Sequence, residues 1–243
     1  MPMPTPLPTW YTTYLPVVQT PGPFIASSKG LILTSGTVEV VGEVVNPGAP
    51  PICYATIALR FYNAADQLVA TDSGSTYLDA TISGQPNPFK TVLYNAPADI
   101  DYYRIALSWS SCFSQYHAIT VLSQQVRKNP DPEVFGEIRN DNAVTVRSID
   151  VGITYYDTTG KVAYTDWDFP TPSMLASSVS GVYSARSFLR NLTYATIAVR
   201  AQGYESTAAA QSALPQPANA RSGAHTSDDM VQSIIGEGTR KTP

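Results

Sequence analysis

The sequence predicts an all-β protein that contains two copies of one β-sandwich. Apolar and polar residues alternate with a period of two from Gly30 to Glu205, and Ile57, Leu59 and Phe61 are an example. An internal repeat divides the same region into two parts of similar length. No stretch of it carries the 3.6-residue period of an amphipathic helix, so strands are expected throughout.

The composition excludes several classes of protein. The chain has 243 residues, of which 43% are hydrophobic and only 14% charged, and its net charge is −4. Soluble domains are commonly about 25% charged, and a nucleic-acid binder would carry an excess of Lys and Arg. No apolar run approaches the roughly 18 residues that a membrane helix needs. We therefore expect no nucleic-acid partner and no membrane span.

Residues 1–29 are predicted to form an extended leader. Alternating prolines fix φ and favour a polyproline conformation, and the embedded sequence Tyr-Leu-Pro-Val-Val is apolar enough to dock as a short edge strand. The alternative is an unstructured linker. The interaction candidates in this segment are Tyr14, Leu15, Val17 and Val18.

Location is predicted from composition. The start of the chain has neither the charged n-region nor the apolar h-region of a signal peptide. Abundant Thr, Ser and Tyr with few Lys nevertheless suit an exported protein. We interpret the sequence as a mature portion whose leader is missing, and we expect an extracellular or cell-surface location.

The internal repeat predicts the domain count. Two pairs of segments match in order and at a spacing of about 94 residues. Each copy has room for about seven short strands with turns every 8–12 residues, as expected for an immunoglobulin-like sandwich. We predict one sandwich over residues 30–124 and a second over 125–212. The matching segments are Val41–Asn46 with Phe135–Asn140, and Leu59–Asn63 with Ile153–Asp157.

These segments resemble the FxLYD domain. In each copy a strand carrying Gly-Glu and a following Asn precedes a strand that ends in Phe-Tyr-Asn or Tyr-Tyr-Asp. The resemblance covers Val38–Leu122 and Pro132–Ala210. It implies immunoglobulin- or fibronectin-III-like sandwiches of bacterial exported proteins and brings no general catalytic role. Leu59 and Ile153 stand near the position where the family has Phe.

Residues 213–243 are predicted to be a flexible tail because Pro, Ala, Ser, Gly and Asn dominate the stretch that opens it. Ser227, Asp228 and Asp229 could cap a short helix that ends at Gly236. The tail is either disordered or a docking segment that orders on a partner. The apolar residues of the predicted helix are Met230, Val231, Ile234 and Ile235.

The two cysteines are predicted to form a disulfide. Cys53 lies at the start of one predicted strand, and Cys112 follows the end of a strand that should be its antiparallel neighbour. The second copy has Arg147 and Tyr204 at the corresponding positions, so both cysteines are absent together. Two unrelated buried thiols are the alternative.

The sequence predicts no catalysis, no cofactor and no metal site. It lacks a Gly-x-Ser-x-Gly elbow, a His-Glu-x-x-His motif and a phosphate-binding loop. Glu43 and Glu137 repeat at one position and are interpreted as outward-facing residues, with Asn46 and Asn140 entering turns, rather than as paired acids of a glycosidase. Calcium bound by turn carboxylates is a minor alternative. Those carboxylates are Asp66, Asp72, Asp79, Asp157, Asp166 and Asp168.

Function is predicted only as a class. Trp167 is the best single candidate for an exposed contact, although strand packing explains most of the aromatic residues. We expect a non-catalytic extracellular structural or interaction protein that binds a protein partner or associates with itself. We expect it to join a cell-surface assembly by strand addition. The alternative is an accessory module that binds carbohydrate or another ligand.

Overall fold

The predicted all-β class is confirmed. A computed structural model of the chain describes residues 22–33, 36–48, 50–128, 132–187 and 192–205, and the backbone of residues 230–233. Every regular element within these ranges is a strand. The alternation seen in the sequence is the alternation of burial: along Ala55–Phe61, apolar side chains are buried and the residues between them are exposed.

Seven strands form the first half of the chain. They are β1 Phe24–Leu33, β2 Thr37–Val45, β3 Ile52–Tyr62, β4 Leu68–Ser75, β5 Ala80–Thr81, β6 Asn87–Leu93 and β7 Tyr102–Ser111. Six form the second half, and one lies near the C-terminus. They are β8 Tyr116–Lys128, β9 Pro132–Arg139, β10 Val146–Tyr156, β11 Val162–Asp168, β12 Ser180–Arg186, β13 Thr196–Glu205 and β14 Met230–Ser233.

These strands form three antiparallel sheets. Sheet I has the order β1–β2–β6, and sheet II has the order β14–β7–β3–β4 with β5 beside β3. Sheet III has the order β11–β10–β13–β8–β9–β12. Within it, Tyr116–Ile119 of β8 pair with β13, and the rest of β8 pairs with β9. Strand β8 thus joins two arms of sheet III, and both of its partners belong to the second half although it crosses residue 124.

Each half contains a sandwich core. In the first half, Val40 and Phe89 of sheet I and Ile57 of sheet II belong to one cluster of buried residues. In the second half, Ile138 and Ile153 come from the two arms of sheet III and share another cluster. The sandwich architecture is therefore confirmed, whereas the division into two domains at the predicted boundaries remains a prediction.

The internal repeat is visible in the strand pairing. Leu59 pairs with Ile105 between β3 and β7, and Ile153 pairs with Val199 between β10 and β13, so the spacing is 94 residues in both strands. Alignment of Tyr102–Leu107 with Tyr194–Val199 by sequence predicts a spacing of about 92 for this last strand, which is wrong by two residues. A slip of two preserves the inward and outward alternation of side chains, so the hydrophobic pattern alone does not detect it.

The repeated Gly-Glu sequence has a steric cause. A Cβ atom on Gly42 would lie 2.6 Å from the backbone oxygen of Ser27, and one on Gly136 would clash with the backbone of Ser123. The neighbouring strand is irregular at both places, between Ile25 and Ser27 and again at Ser123. The irregularity brings its backbone against the glycine, so only a residue without a side chain fits.

The repeated asparagine fastens a turn through its side chain. The amide nitrogen of Asn46 donates to the carbonyls of Pro50 and Thr81 at 2.8 and 3.2 Å. Asn140 donates in the same way to Val144 and Leu175, both at 2.8 Å. Neither asparagine is among the residues with positive φ, so these side-chain hydrogen bonds, rather than a left-handed backbone, explain why asparagine stands at both turns.

Candidate interaction surfaces

The predicted disulfide between Cys53 and Cys112 is confirmed. Strands β3 and β7 are neighbours, and Cys53 pairs with Ser110 at the end where Cys112 leaves β7. The two Cα atoms are 5.0 Å apart, and no free cysteine remains. The crosslink therefore joins the start of one central strand to the end of the next, as the sequence predicts.

A different contact stands at the matching end of the second half. Arg147 pairs with Tyr204 between β10 and β13, and its guanidinium carbon lies 4.8 Å from the centre of the tyrosine ring. Such a cation–π contact contributes roughly 0.5–1 kcal/mol at an exposed site. Arg147 occupies the position of Cys53, while the pairing register aligns Tyr204 with Ser110 rather than with Cys112. A noncovalent contact thus closes this end of the repeat.

The two halves meet through a buried polar contact at Glu43. This residue is 3% exposed, and its Oε1 accepts hydrogen bonds from Thr154 Oγ1 and Tyr156 OH, both at 2.7 Å. Arg200 Nη1 lies 3.3 Å from the same oxygen. Glu43 belongs to β2 and its three partners to β10 and β13, so the second half covers the outward-facing position that the sequence predicts for Glu43. Its repeat equivalent Glu137 is exposed, as predicted.

Apolar and glycine residues complete this junction. Val41 of β2 belongs to the buried cluster of the second half, because β2 turns one face to each half. Gly152 of β10 faces Pro88 so closely that an added Cβ would lie 2.8 Å from the proline ring. Sequence reasoning missed this surface because alternation identifies two faces of a strand but not what covers the second one.

An ion pair extends the same junction. Lys90 of β6 places its ammonium 3.8 Å from Asp166 Oδ1 and donates to Tyr164 OH at 3.1 Å. Burial raises the pKa of Asp166 to about 7, the Lys90 charge opposes that rise, and Glu39 adds to it. The carboxyl group of Asp166 therefore titrates near neutral pH.

A second carboxyl group with a raised pKa lies near the junction. Burial raises the pKa of Asp150 to about 7, and the charge of Asp79 from the first half raises it further. Nearby, Gln202 Nε2 donates to the carbonyl of Ala80 at 2.6 Å and links the halves again. The junction thus contains hydrogen bonds between the halves, and two carboxyl groups whose pKa values are raised by burial lie at or near it.

The candidate calcium carboxylates are dispersed. No group of three or more His, Cys, Asp and Glu residues that could hold a metal ion occurs in the described ranges. Asp66 accepts a hydrogen bond from Tyr102 OH at 2.6 Å, and Asp168 accepts one from the amide of Ser184 at 2.7 Å. Asp157 accepts from the amides of its own turn. These contacts give Asp66, Asp157 and Asp168 structural roles as hydrogen-bond acceptors in turns and strands.

Trp167 lies on an exposed aromatic surface. Its side chain is 46% exposed and contacts Phe169, which is 58% exposed, with the ring centres 4.7 Å apart in an edge-to-face arrangement. The ring centre of Tyr77, which belongs to the first half, lies 6.2 Å from the ring centre of Trp167. Trp167 therefore presents part of its ring to solvent next to the junction, as an interaction residue requires.

The interaction candidates near the two ends of the chain differ in whether the structure describes them. Tyr14, Leu15, Val17 and Val18 lie outside the described residues. Residues Met230–Ser233, where a short helix was predicted, instead form β14, which runs antiparallel to β7 with Met230 opposite Ile105. A helix of about eight residues is marginal by itself, whereas the edge of a sheet offers backbone partners to an added strand. The helix prediction is therefore wrong for these four residues.

Comparisons with known proteins give no family. The sequence matches no known protein family and no curated protein, so the resemblance to FxLYD domains remains a prediction. One solved structure similar to this chain is that of red sea bream transglutaminase, with a TM-score of 0.26 and 10% sequence identity. The match covers 76% of this chain and 29% of that one, and at this TM-score it carries no argument about function. The described residues contain no helix that is long and apolar enough to cross a membrane.

Proposed function

We propose that this chain is a non-catalytic structural and interaction protein that works outside the cytoplasm as a subunit of a larger assembly. The observation that carries the proposal is the buried contact at Glu43, which fastens one sandwich to the other through Thr154, Tyr156 and Arg200. A buried polar group with all its partners in place fixes orientation, so the two sandwiches form a rigid building block.

Two further features support this proposal. The Cys53–Cys112 crosslink suits an oxidising compartment, because disulfides persist in exported proteins and are rare in the cytosol. Strand β14 joins β7 from a distant part of the chain, so a sheet edge of this protein accepts an added strand. The N-terminal segment that contains Tyr14 and Val18 is a second candidate donor of such a strand.

Sedimentation of the protein from its native source tests the proposal. The expected result is a species much heavier than the 26.2 kDa chain, released from an extracytoplasmic fraction and resistant to dilution. A chain found in the cytosol, or a monomer at every concentration, would contradict it. Deletion of residues 1–20 then separates the two strand donors, since unchanged assembly after the deletion would exclude the N-terminal one.

Ligand binding at Trp167 is the second candidate function. The exposed edge-to-face pair of Trp167 and Phe169 offers an apolar surface of the kind on which sugar rings stack. A glycan panel would then show binding by the intact chain and its loss in Trp167→Ala. The matched control is Tyr94→Ala, which removes another exposed aromatic residue. Absence of any bound glycan would remove this candidate.

A further inference from the structure

The outer edge of β7, on the side away from β3, receives no strand from the segments next to it in sequence. The strand that follows β7 is β8, and β8 pairs with β9 and β13 of the second half. The described partner of this edge is β14, which comes from the C-terminal part of the chain. The first half therefore depends on a distant segment at this position.

The second half shows what normally covers this position in the repeat. Strand β13 is the equivalent of β7, and its corresponding edge is covered by Tyr116–Ile119, the first part of β8. The irregularities at Ile25/Ser27 and Val121/Ser123 align β1 with β8 at a spacing of 96 residues. By that alignment the segment of the first half equivalent to Tyr116–Ile119 is residues 20–23.

Residues 20–23 read Thr-Pro-Gly-Pro. Two of these four residues are prolines without a backbone N–H, and glycine also weakens a strand, so this segment is less suited to pair with β7 than Tyr116–Ile119 are to pair with β13. The sequence of the first copy thus disfavours the covering strand that the second copy provides. An exposed edge of this kind is a template for any extended chain.

We propose that the outer edge of β7 is a docking site for an extended strand, and that residues 230–233 occupy it as a tethered ligand. The inference rests on the proposed function, since it identifies the edge at which strand addition occurs. Its ligand is the C-terminal segment of this chain, bound antiparallel to β7 in the register Met230 to Ile105 and Ser233 to Tyr102.

The contact has the character of a ligand rather than of a core strand. It joins four residues of β14 to four of the ten residues of β7, and its backbone hydrogen bonds are each of modest net strength. The 24 residues between Glu205 and Met230 tether the segment, which raises its effective concentration to the order of millimolar. The covalent connection therefore keeps a weakly binding segment on β7. If substitutions prevent residues 230–233 from pairing, a free peptide of the same sequence should bind at the edge of β7 in their place.

The test uses the full chain with Val231→Pro and Gln232→Pro together. Alternate residues of an antiparallel strand donate to the neighbour, so one of two consecutive prolines must remove a ladder hydrogen bond. The matched control, Ser222→Pro with Gly223→Pro, changes the same tail outside β14. Amide hydrogen exchange then reports on β7, with β13 as the internal reference.

We expect the amides of Tyr102–Ile105 that face β14 to exchange at least tenfold faster in the Val231→Pro, Gln232→Pro chain than in the parent and control chains, with β13 unchanged. A synthetic peptide of residues 227–236 should restore their protection, and the same peptide with both prolines should not.

Three results would overturn the inference. Unchanged exchange in β7 would mean that the segment does not dock there, and failure of the peptide to restore protection would mean that the edge is not a ligand site. Loss of protection in all strands would mean that β14 is an integral part of the fold. None of these results affects the sedimentation experiment, so that experiment tests the proposed function independently of the docking site on β7.

Discussion

Replacing Glu43 with Ala should break the junction between the two halves of the chain. The substitution removes the acceptor of two hydroxyl groups, Thr154 Oγ1 and Tyr156 OH, and the partner of the Arg200 guanidinium. A hydrogen bond to a charged group contributes about 1.5–3 kcal/mol, and breaking one side of a buried ion pair costs about 3–5 kcal/mol. We therefore expect Glu43→Ala to lower the free energy of unfolding by about 4 kcal/mol.

Urea denaturation followed by tryptophan fluorescence measures this loss. The matched control is Glu137→Ala, which removes the same residue type from the same repeat position, where the side chain is exposed. Surface substitutions of this kind change stability by no more than about 0.5 kcal/mol. Equal losses in the two variants would refute the buried junction, and so would a double-mutant cycle that finds no coupling between Glu43 and Thr154.

Three other perturbations follow from the same contacts. The pKa of Asp166 is about 7 in the folded protein and 3.8 ordinarily, so the folded state binds an extra proton between these two pH values. The free energy of unfolding should therefore fall as the pH rises from about 4 to 7. Asp166→Asn should reduce the difference in urea midpoint between pH 5 and pH 8. Reducing Cys53–Cys112, which closes a loop with a sequence separation of 59, should cost up to about 4 kcal/mol, measured by unfolding with and without reductant. Gly136→Ala should lower stability by about 3 kcal/mol in the same assay, whereas Gly22→Ala, with open space around it, should change it little.

The parts of the fold that sequence could predict are those set by local pattern. Alternating burial in β3 follows directly from Ile57, Leu59 and Phe61. The Cys53–Cys112 crosslink follows from placing two strands as neighbours with their cysteines at one end. Such features need only the strand period and the order of elements, and both are written in short stretches of sequence.

The parts that sequence could not predict depend on contacts between distant segments. Glu43 and Glu137 occupy one repeat position, yet only Glu43 is buried, because the second half of the chain covers one face of β2. Met230 and its neighbours suit a short helix locally, but an edge strand that needs a partner overrides that weak preference. In both cases the deciding surface belongs to another part of the chain.

Trapping β14 on β7 by a disulfide tests most directly how this protein adds strands. Arg104 and Val231 are opposite each other in the pairing register, so cysteines at the two positions lie within the Cα separation that a disulfide permits. In the Arg104→Cys, Val231→Cys chain we predict an internal crosslink within a monomer, shown by intact mass and nonreducing electrophoresis. Two free thiols, or an equal crosslink in the control Arg104→Cys, Gly223→Cys, would contradict the docked strand.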